Sequence, residues 1–193
     1  MTKLTQTLGK IIIFSAPSGA GKSTIVLEVL KRIEKLEFSV SATTRPKRSY
    51  EINGRNYYFI PAEKFRYYIE HDKFLEWQEV YPGRYYGTFR SEVERIVTHG
   101  NSAVFDVDVQ GGINLKRIFK DQARSFFIQP PSLDVLQQRL EKRGTETPED
   151  IDKRMAKAAH ELTFAPYFDE IILNDTLEDA IHEIVTKINL FIS

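Results

Sequence analysis

Short apolar runs recur along the chain, and longer stretches between them return an apolar residue every three or four positions. Ile11-Ile12-Ile13-Phe14 is uninterrupted and rich in β-branched residues, the pattern of a buried strand, and Ile25, Val29 and Ile33 then mark a helix over residues 22–35. Ala103-Val104-Phe105 reads as a second strand that ends at Asp106-Val107-Asp108. Ser125-Phe126-Phe127-Ile128 is a third, stopped by Pro130-Pro131, and Glu170-Ile171-Ile172-Leu173 is a fourth. Strands separated by helices predict crossover connections and a parallel sheet with helices on both faces, an α/β fold. Polar residues punctuate the helices. Ser132 suits the cap of a helix running to about Arg143, with Gly144 as its stop. Thr147-Pro148-Glu149-Asp150 sets a capping residue, a first-turn proline and two acids in order. Asp175-Thr176-Leu177-Glu178 reads as a capping box opening the last helix.

Residues 38–90 break this rhythm. They hold many tyrosines, a strand candidate at Tyr57-Tyr58-Phe59-Ile60, and Asn53-Gly54, a hairpin signal. The segment reads as a small, partly β lobe inserted into the α/β core. Phe65, Tyr67 and Tyr68 read as packing residues.

Composition narrows the function classes. A chain of 193 residues is one domain by length, with 41% hydrophobic and 28% charged residues as in ordinary soluble proteins. Lysine plus arginine equals aspartate plus glutamate, 27 each, so no global field draws the chain to nucleic acid or an acidic membrane, and any anion site must be built locally. The absence of cysteine excludes disulfides, thiolate zinc sites and cysteine nucleophiles. The run Ile11–Phe14 is too short for a signal-peptide core and no stretch could span a bilayer, so a cytoplasmic protein is expected. His71, His99, His160 and His182 have no metal-ligand spacing.

The chemistry concentrates after the first strand. Ser15-Ala16-Pro17-Ser18-Gly19-Ala20-Gly21-Lys22-Ser23-Thr24 ends in the Gly-Lys-Ser of a phosphate-binding loop, between a predicted strand and a predicted helix. Gly19 and Gly21 let the backbone curl until successive N–H groups converge on phosphate oxygens, and the helix N-terminus adds partial positive charge. Lys22 can reach the β- and γ-phosphates, and the Ser23 hydroxyl can hold Mg²⁺. Ala16 stands where that motif begins with glycine. The loop names a nucleoside triphosphate as ligand and leaves the acceptor open.

The inserted lobe holds acceptor candidates. Arg45 and Arg48 lie close together in a neutral protein, and guanidinium groups bind phosphate bidentately. On spacing alone, a solvated charged face explains them equally well. Tyr57, Tyr85 and Tyr86 supply hydroxyls and flat surfaces. Glu76 sits in the apolar stretch Phe74-Leu75-Glu76-Trp77, where a carboxylate could accept the N1–H and 2-amino groups of guanine; adenine has no such donor edge. Arg139 and Arg143, four apart, share a face of a predicted helix. A solvated stripe paired with Glu141 or Glu146 is the alternative. The segment 144–147 suits a mobile lid.

The phosphate loop, Phe38–Arg45, Phe74–Trp77, Tyr85-Tyr86-Gly87-Thr88, Asp106-Val107-Asp108-Val109-Gln110-Gly111 and Arg139–Thr147 together resemble the guanylate kinase family, in its order and near its spacing, over about residues 10 to 190. The resemblance implies a P-loop core (about 8–37, 91–138 and 158–193), a GMP-binding lobe (about 38–90) and a helical lid (about 139–157). It implies transfer of the γ-phosphoryl of ATP to GMP and dGMP with Mg²⁺, by a cytoplasmic monomer or homodimer that uses neither nucleic acid nor membrane. On the donor side it implies ATP contacts by Ser18, Gly19, Ala20, Gly21, Lys22, Ser23 and Thr24. Asn174 would lie near the adenine, and Arg139, Arg143 and Arg154 would be lid arginines. It implies that Ser41, Arg45, Arg48, Tyr57 and Tyr86 hold GMP, the arginines and tyrosines at its phosphate. Glu76 and Thr88 would read guanine, and Asp108 would lie near the base and metal. Lys22, Arg45 and the lid arginines would be catalytic, and Asp106 would orient water on a Mg²⁺ held by Ser23. Tyr50 and the sequence Tyr81-Pro82-Gly83-Arg84 depart from the family pattern. Two rivals stand beside this reading: a phosphopeptide-binding scaffold domain, which the intact Gly21-Lys22-Ser23 disfavours, and a P-loop kinase of another phosphorylated acceptor, which Glu76 with Thr88 disfavours.

Overall fold

Ile11 to Ser15 are buried without alternation, as expected of a strand covered on both faces. The computed structural model describes residues 9–143 and 147–193, with the side chain of Arg143 outside the description. The chain divides into two compact units, one of Ile11–Glu34 with Asp106–Ser193, the other of Lys35–Phe105 with the segment ending at Lys10.

In the first of these, β1 (Ile11–Ser15), β8 (Ala123–Gln129) and β9 (Glu170–Leu173) are parallel, β1 pairing with β8 from Ile11↔Ala123 to Ser15↔Phe127 and β8 with β9 from Phe126↔Glu170 to Gln129↔Leu173. Phe126 and Ile128 point opposite to Phe127 along β8, and all three are fully buried, so both faces are covered. Helix α4 (Val109–Phe119) sets Val109 and Ile113 against Phe127, with Ala165 and Phe168 completing that cluster. Helices α1 (Lys22–Arg32) and α7 (Leu177–Ile192) pack on each other and on the strands, burying Ile25, Val26 and Val29 from one and Ala180, Ile181, Ile184 and Ile188 from the other. Each of the buried Val and Ile side chains stabilises by roughly 1.5–3 kcal/mol relative to exposure. Helix α1 ends at Arg32, three residues short of the expected 35, because Ile33 turns extended and enters the core.

Two further helices complete this unit. Ser132 Oγ accepts the Val135 N–H at 3.1 Å at the start of α5 (Leu133–Arg143). Thr147 caps α6 (Pro148–Leu162), its Oγ1 accepting the Asp150 N–H at 3.3 Å. The expected stop at Gly144 lies outside the described residues. The box proposed for α7 differs from what forms: Thr176 is the cap, and its hydroxyl donates to the Asp179 carboxylate instead of accepting a backbone N–H.

The second unit contains the segment 38–90. β2 (Leu36–Phe38) pairs in parallel with β7 (Ser102–Asp106). A four-stranded sheet runs in the order β4 (Tyr58–Phe59), β3 (Ala42–Thr43), β6 (Arg84–Phe89), β5 (Phe74–Tyr81), with β3 parallel to β4 and antiparallel to β6. Helix α2 (Ala62–Glu70) inserts Phe65 between Phe74, at 4.4 Å, and Tyr85, at 5.5 Å between ring centres. Gly87 faces that ring, and a Cβ there would stand 3.0 Å from Phe65 Cζ. Tyr68 joins this core, whereas Tyr67 is exposed and stacks on His71. Helix α3 (Arg90–Thr98) buries Val93, Ile96 and Val97.

The hairpin lies elsewhere than expected. At Asn53-Gly54 the backbone turns, but the Asn53 side chain accepts the Phe59 N–H at 2.8 Å, and β4 then joins β3 in parallel. The tight reversal is Pro82-Gly83 between β5 and β6, with Gly83 at φ +73 and Tyr81 opposite Arg84. Among the described residues no helix is long and apolar enough to cross a membrane.

Candidate active site

In the unit that carries β1, the loop between β1 and α1 is held open by its glycines. Gly19 and Gly21 both adopt φ +94, a region that a side chain disfavours. A Cβ on Gly19 would stand 2.8 Å from Leu140 Cδ2, and one on Gly21 would stand 2.5 Å from Asn174 Nδ2. Ala16 is buried and is not among the positive-φ residues, so the side chain that replaces the motif's first glycine is accommodated.

Three residues gather at the start of α1. Lys22 Nζ donates to the Val107 carbonyl at 2.6 Å and pairs with the Asp106 carboxylate. Ser23 Oγ donates to the other Asp106 oxygen at 3.1 Å. Thr24 is exposed on the first turn. Asp106 can reach both groups because β7 delivers it at its C-terminal tip, the end where α/β sheets place their ligands. A hydroxyl and a carboxylate beside a phosphate loop form the partial, oxygen-only ligand set that suits Mg²⁺ shared with phosphates. Among the described residues no cluster of three His, Cys, Asp or Glu side chains could hold a metal by itself.

Asn174, Arg139 and Arg154 surround the loop. The Asn174 amide, 4% exposed, donates to the Ala20 carbonyl at 2.7 Å. Arg139 donates to the Asn174 carbonyl at 3.0 Å, and Arg154 donates to Ser18 Oγ at 2.7 Å. Asn174, expected beside adenine, thus has its amide committed to loop backbone. Asp108 caps α4 by accepting the Gly111 N–H at 2.8 Å. The backbone of Arg143 ends α5, and its side chain and residues 144–146 lie outside the described residues.

The other unit holds the remaining candidates. Arg45 makes a two-bond fork with Glu51, at 2.7 and 2.5 Å, and its guanidinium lies 5.0 Å from the Tyr57 ring centre. Glu51, 6% exposed, also accepts the Arg48 N–H at 2.8 Å. The hydrogen bond from Arg45 drives its carboxyl down to about 2 against the opposing effect of burial, and the same bond raises the Arg45 pKa. Tyr57 meets Tyr86 edge to face at 5.9 Å. Arg48 Nη1 donates to the Tyr50 hydroxyl at 2.9 Å, both side chains being exposed.

Glu76 and Thr88 face each other across β5 and β6, and the fully buried Thr88 hydroxyl donates to Glu76 Oε1 at 2.9 Å. Tyr86 lies two residues from Thr88 on the same face of β6, about 7 Å along the strand. Ser41 precedes β3, and its carbonyl accepts the Tyr58 N–H at 2.9 Å. The structure thus brings Arg45, Tyr57 and Tyr86 into one cluster and pairs Glu76 with Thr88. Sequence reasoning missed Glu51; its signal is a lone acid three residues beyond Arg48 in a basic run.

A cavity of about 510 Å³ in the same unit lies beside Tyr58, Tyr68, Lys73, Arg90 and Glu92, and none of the candidate residues lines it.

A guanylate kinase family model matches residues 8–189. The chain is 50% identical over 190 residues to a guanylate kinase of Bacteroides thetaiotaomicron, covering 98% of this chain and 93% of that one. It is 43% identical over 178 residues to a guanylate kinase of Thermotoga maritima, covering 92% and 85%. The crystal structure of guanylate kinase from Anaplasma phagocytophilum superimposes with a TM-score of 0.76 at 29% identity, covering 96% of this chain and 87% of that one.

Proposed function

Since this chain belongs to the guanylate kinase family, we propose that it moves the γ-phosphoryl group of ATP onto GMP through a donor site at residues 18–24 and an acceptor site at Arg45, Arg48, Glu76 and Thr88. The observation that carries the acceptor assignment is the Glu76–Thr88 pair. A carboxylate held by a buried hydroxyl presents acceptors at a fixed place, and guanine offers two adjacent donors, N1–H and the 2-amino group, where adenine offers an acceptor nitrogen. About 7 Å along the strand from Thr88, Tyr86 stands with Tyr57 and Arg45, a span that a nucleoside monophosphate bridges between base and phosphate. Ser41 and Arg48 add polar groups to the phosphate end.

The reaction joins an oxygen of the GMP phosphate to the γ-phosphorus as the bond to the β–γ bridging oxygen breaks, releasing ADP and GDP. The attacking oxygen already carries negative charge, so no general base is needed, and catalysis is positioning plus charge neutralisation. Loop N–H groups from Gly19 to Ser23 hold the donor phosphates. Lys22 exchanges its Val107 and Asp106 contacts for phosphate oxygens, and Arg139 and Arg154, which stand beside the loop, turn to the transferring group. Ser23, with Asp106 through water, would hold Mg²⁺, which neutralises charge across the donor phosphates when bound.

A neutral net charge and the absence of cysteine fit a cytoplasmic monomer or homodimer that uses neither nucleic acid nor membrane. The test is an acceptor screen with ATP and Mg²⁺ against GMP, dGMP, IMP, AMP, CMP and UMP. GMP and dGMP should be phosphorylated and the pyrimidine nucleotides left unchanged; equal use of AMP would overturn the assignment.

A further inference from the structure

Asn174 directly follows β9, and its backbone is pinned on both sides. Its N–H donates to the Gln129 carbonyl at the end of β8 at 2.8 Å, and its carbonyl accepts Arg139 Nη2 at 3.0 Å. The residue is 4% exposed, and its side chain donates from Nδ2 to the Ala20 carbonyl at 2.7 Å. Ala20 is fully buried, and its N–H donates to the Pro17 carbonyl at 3.1 Å. Position 21 leaves no room for a side chain, since a Cβ there would stand 2.5 Å from Asn174 Nδ2.

The Ala20 carbonyl belongs to the same peptide group as the Gly21 N–H. A trans peptide is planar, and its C=O and N–H point in opposite directions. Holding the carbonyl on Asn174 therefore turns the Gly21 N–H away from Asn174. Gly21 sits at φ +94, and glycine visits both signs of φ at little cost, so the peptide before it has no torsional preference strong enough to fix its direction. The bond from Asn174 removes that freedom, and a buried carbonyl without a partner would be costly in any other orientation. The direction of one N–H of the phosphate loop is thus set from behind by a side chain 154 residues away.

We propose that Asn174 is a positioning residue for the donor phosphates: by holding the Ala20 carbonyl it locks the peptide between Ala20 and Gly21 with the Gly21 N–H directed at phosphate. Asn174 then serves ATP through the loop and not through the base. It keeps its hold on Ala20 when the nucleotide is bound, while Arg139 is released from the Asn174 carbonyl to reach the phosphates. The inference rests on the donor reading of residues 18–24.

Asn174→Ala and Asn174→Leu test it by calorimetric titration with ATP and with inorganic triphosphate, each with Mg²⁺, and separately with GMP. Inorganic triphosphate offers the donor phosphates without a base. Both variants keep the backbone contacts to Gln129 and Arg139 and remove the side-chain donor. Each should weaken ATP and inorganic triphosphate by the same factor, roughly tenfold, the effect of one buried carbonyl left unpaired, with the Kd for GMP within about twofold of the wild type. In the wild type the Asn174 side-chain amide protons should exchange slowly with solvent, with and without ATP. The inference is overturned by a loss confined to ATP, which would make Asn174 a base contact. It is equally overturned by unchanged ATP affinity, by equal losses for ATP and GMP, or by a freely exchanging Asn174 amide in the free wild type. Should Asn174→Leu fail to fold, Asn174→Ala decides it, and should both fail, the wild-type exchange rate does. A wild type that binds neither ATP nor inorganic triphosphate would instead reject the donor site itself.

Discussion

Arg45 and Glu51 share two short hydrogen bonds, 2.7 and 2.5 Å, with both side chains largely removed from water. The pair orients the guanidinium against Tyr57 and leaves Glu51 dependent on it. Removing one partner of such a pair strands a charge. Arg45→Ala should therefore lower both GMP affinity and stability, the latter by about 3 kcal/mol. The Arg48 guanidinium donates to an exposed tyrosine, and the Arg48 backbone N–H that Glu51 accepts is kept on substitution, so Arg48→Ala should weaken GMP binding at nearly unchanged Tm. ATP binding should stay constant in both. Calorimetric titration of each nucleotide, with a thermal melt of each variant, separates these effects; equal loss of ATP and GMP affinity would make the arginines structural.

The same fork sets a pH dependence. The Glu51 carboxyl falls from an ordinary 4.5 to about 2 on folding. A depressed carboxyl contributes stability that is fully present above its unfolded value and is lost as pH falls through its folded value. The contribution should be whole above about pH 4.5, diminish as pH falls toward 2, and amount to about 3 kcal/mol when complete. Denaturant titrations of wild type and Glu51→Gln should show a stability gap that narrows over that window. A gap independent of pH would mean that the carboxylate does not stabilise Arg45 in solution.

Lys22→Ala should fold and lose roughly 10²-fold or more in turnover, as when one preorganised donor is removed from a charged transition state. In the free protein Lys22 already holds Asp106 and the Val107 carbonyl, so the melt should be measured beside the rate. A folded variant with near wild-type turnover would reject the loop assignment.

The phosphate loop and the strands around it were legible because their signals are local: glycines that need φ +94, a lysine at a helix start, and β-branched runs buried on both sides. The lobe was less so. The aromatic-rich stretch 62–89 mixes helical and alternating periods, and it resolves into α2, β5 and β6 only when Phe65 meets Phe74 and Tyr85. Asn53-Gly54 was misleading because Asn53 spends its side chain on the Phe59 N–H, whereas Pro82-Gly83 makes the reversal. Glu51 resembles a surface acid until the chain over 45–51 folds back and buries it. The Asn174–Ala20 contact joins residues 154 positions apart, beyond any local pattern.

Base choice gives the most exposed prediction. GMP should be phosphorylated far better than AMP, with IMP between them. IMP lacks only the 2-amino group, so part of the Glu76 carboxylate loses its partner in the complex. One charge-assisted hydrogen bond lost at a buried acceptor costs about 1.5–3 kcal/mol, or roughly 10- to 150-fold in kcat/KM. AMP loses both donors and sets a ring nitrogen lone pair against the carboxylate, so its penalty should be larger. Glu76→Gln should narrow the GMP preference, since an amide can turn a donor toward that nitrogen. Thr88→Val should narrow it by a different route, because the Thr88 hydroxyl holds Glu76 Oε1 at 2.9 Å from a fully buried position. Without that bond the carboxylate loses one of its anchors, and GMP should lose more than AMP. Competition assays with the three nucleotides measure each ratio. If both substitutions leave the GMP-to-AMP ratio at its wild-type value, the Glu76–Thr88 pair does not read the base, and the guanine contact must be sought among other residues of the same face of β5 and β6.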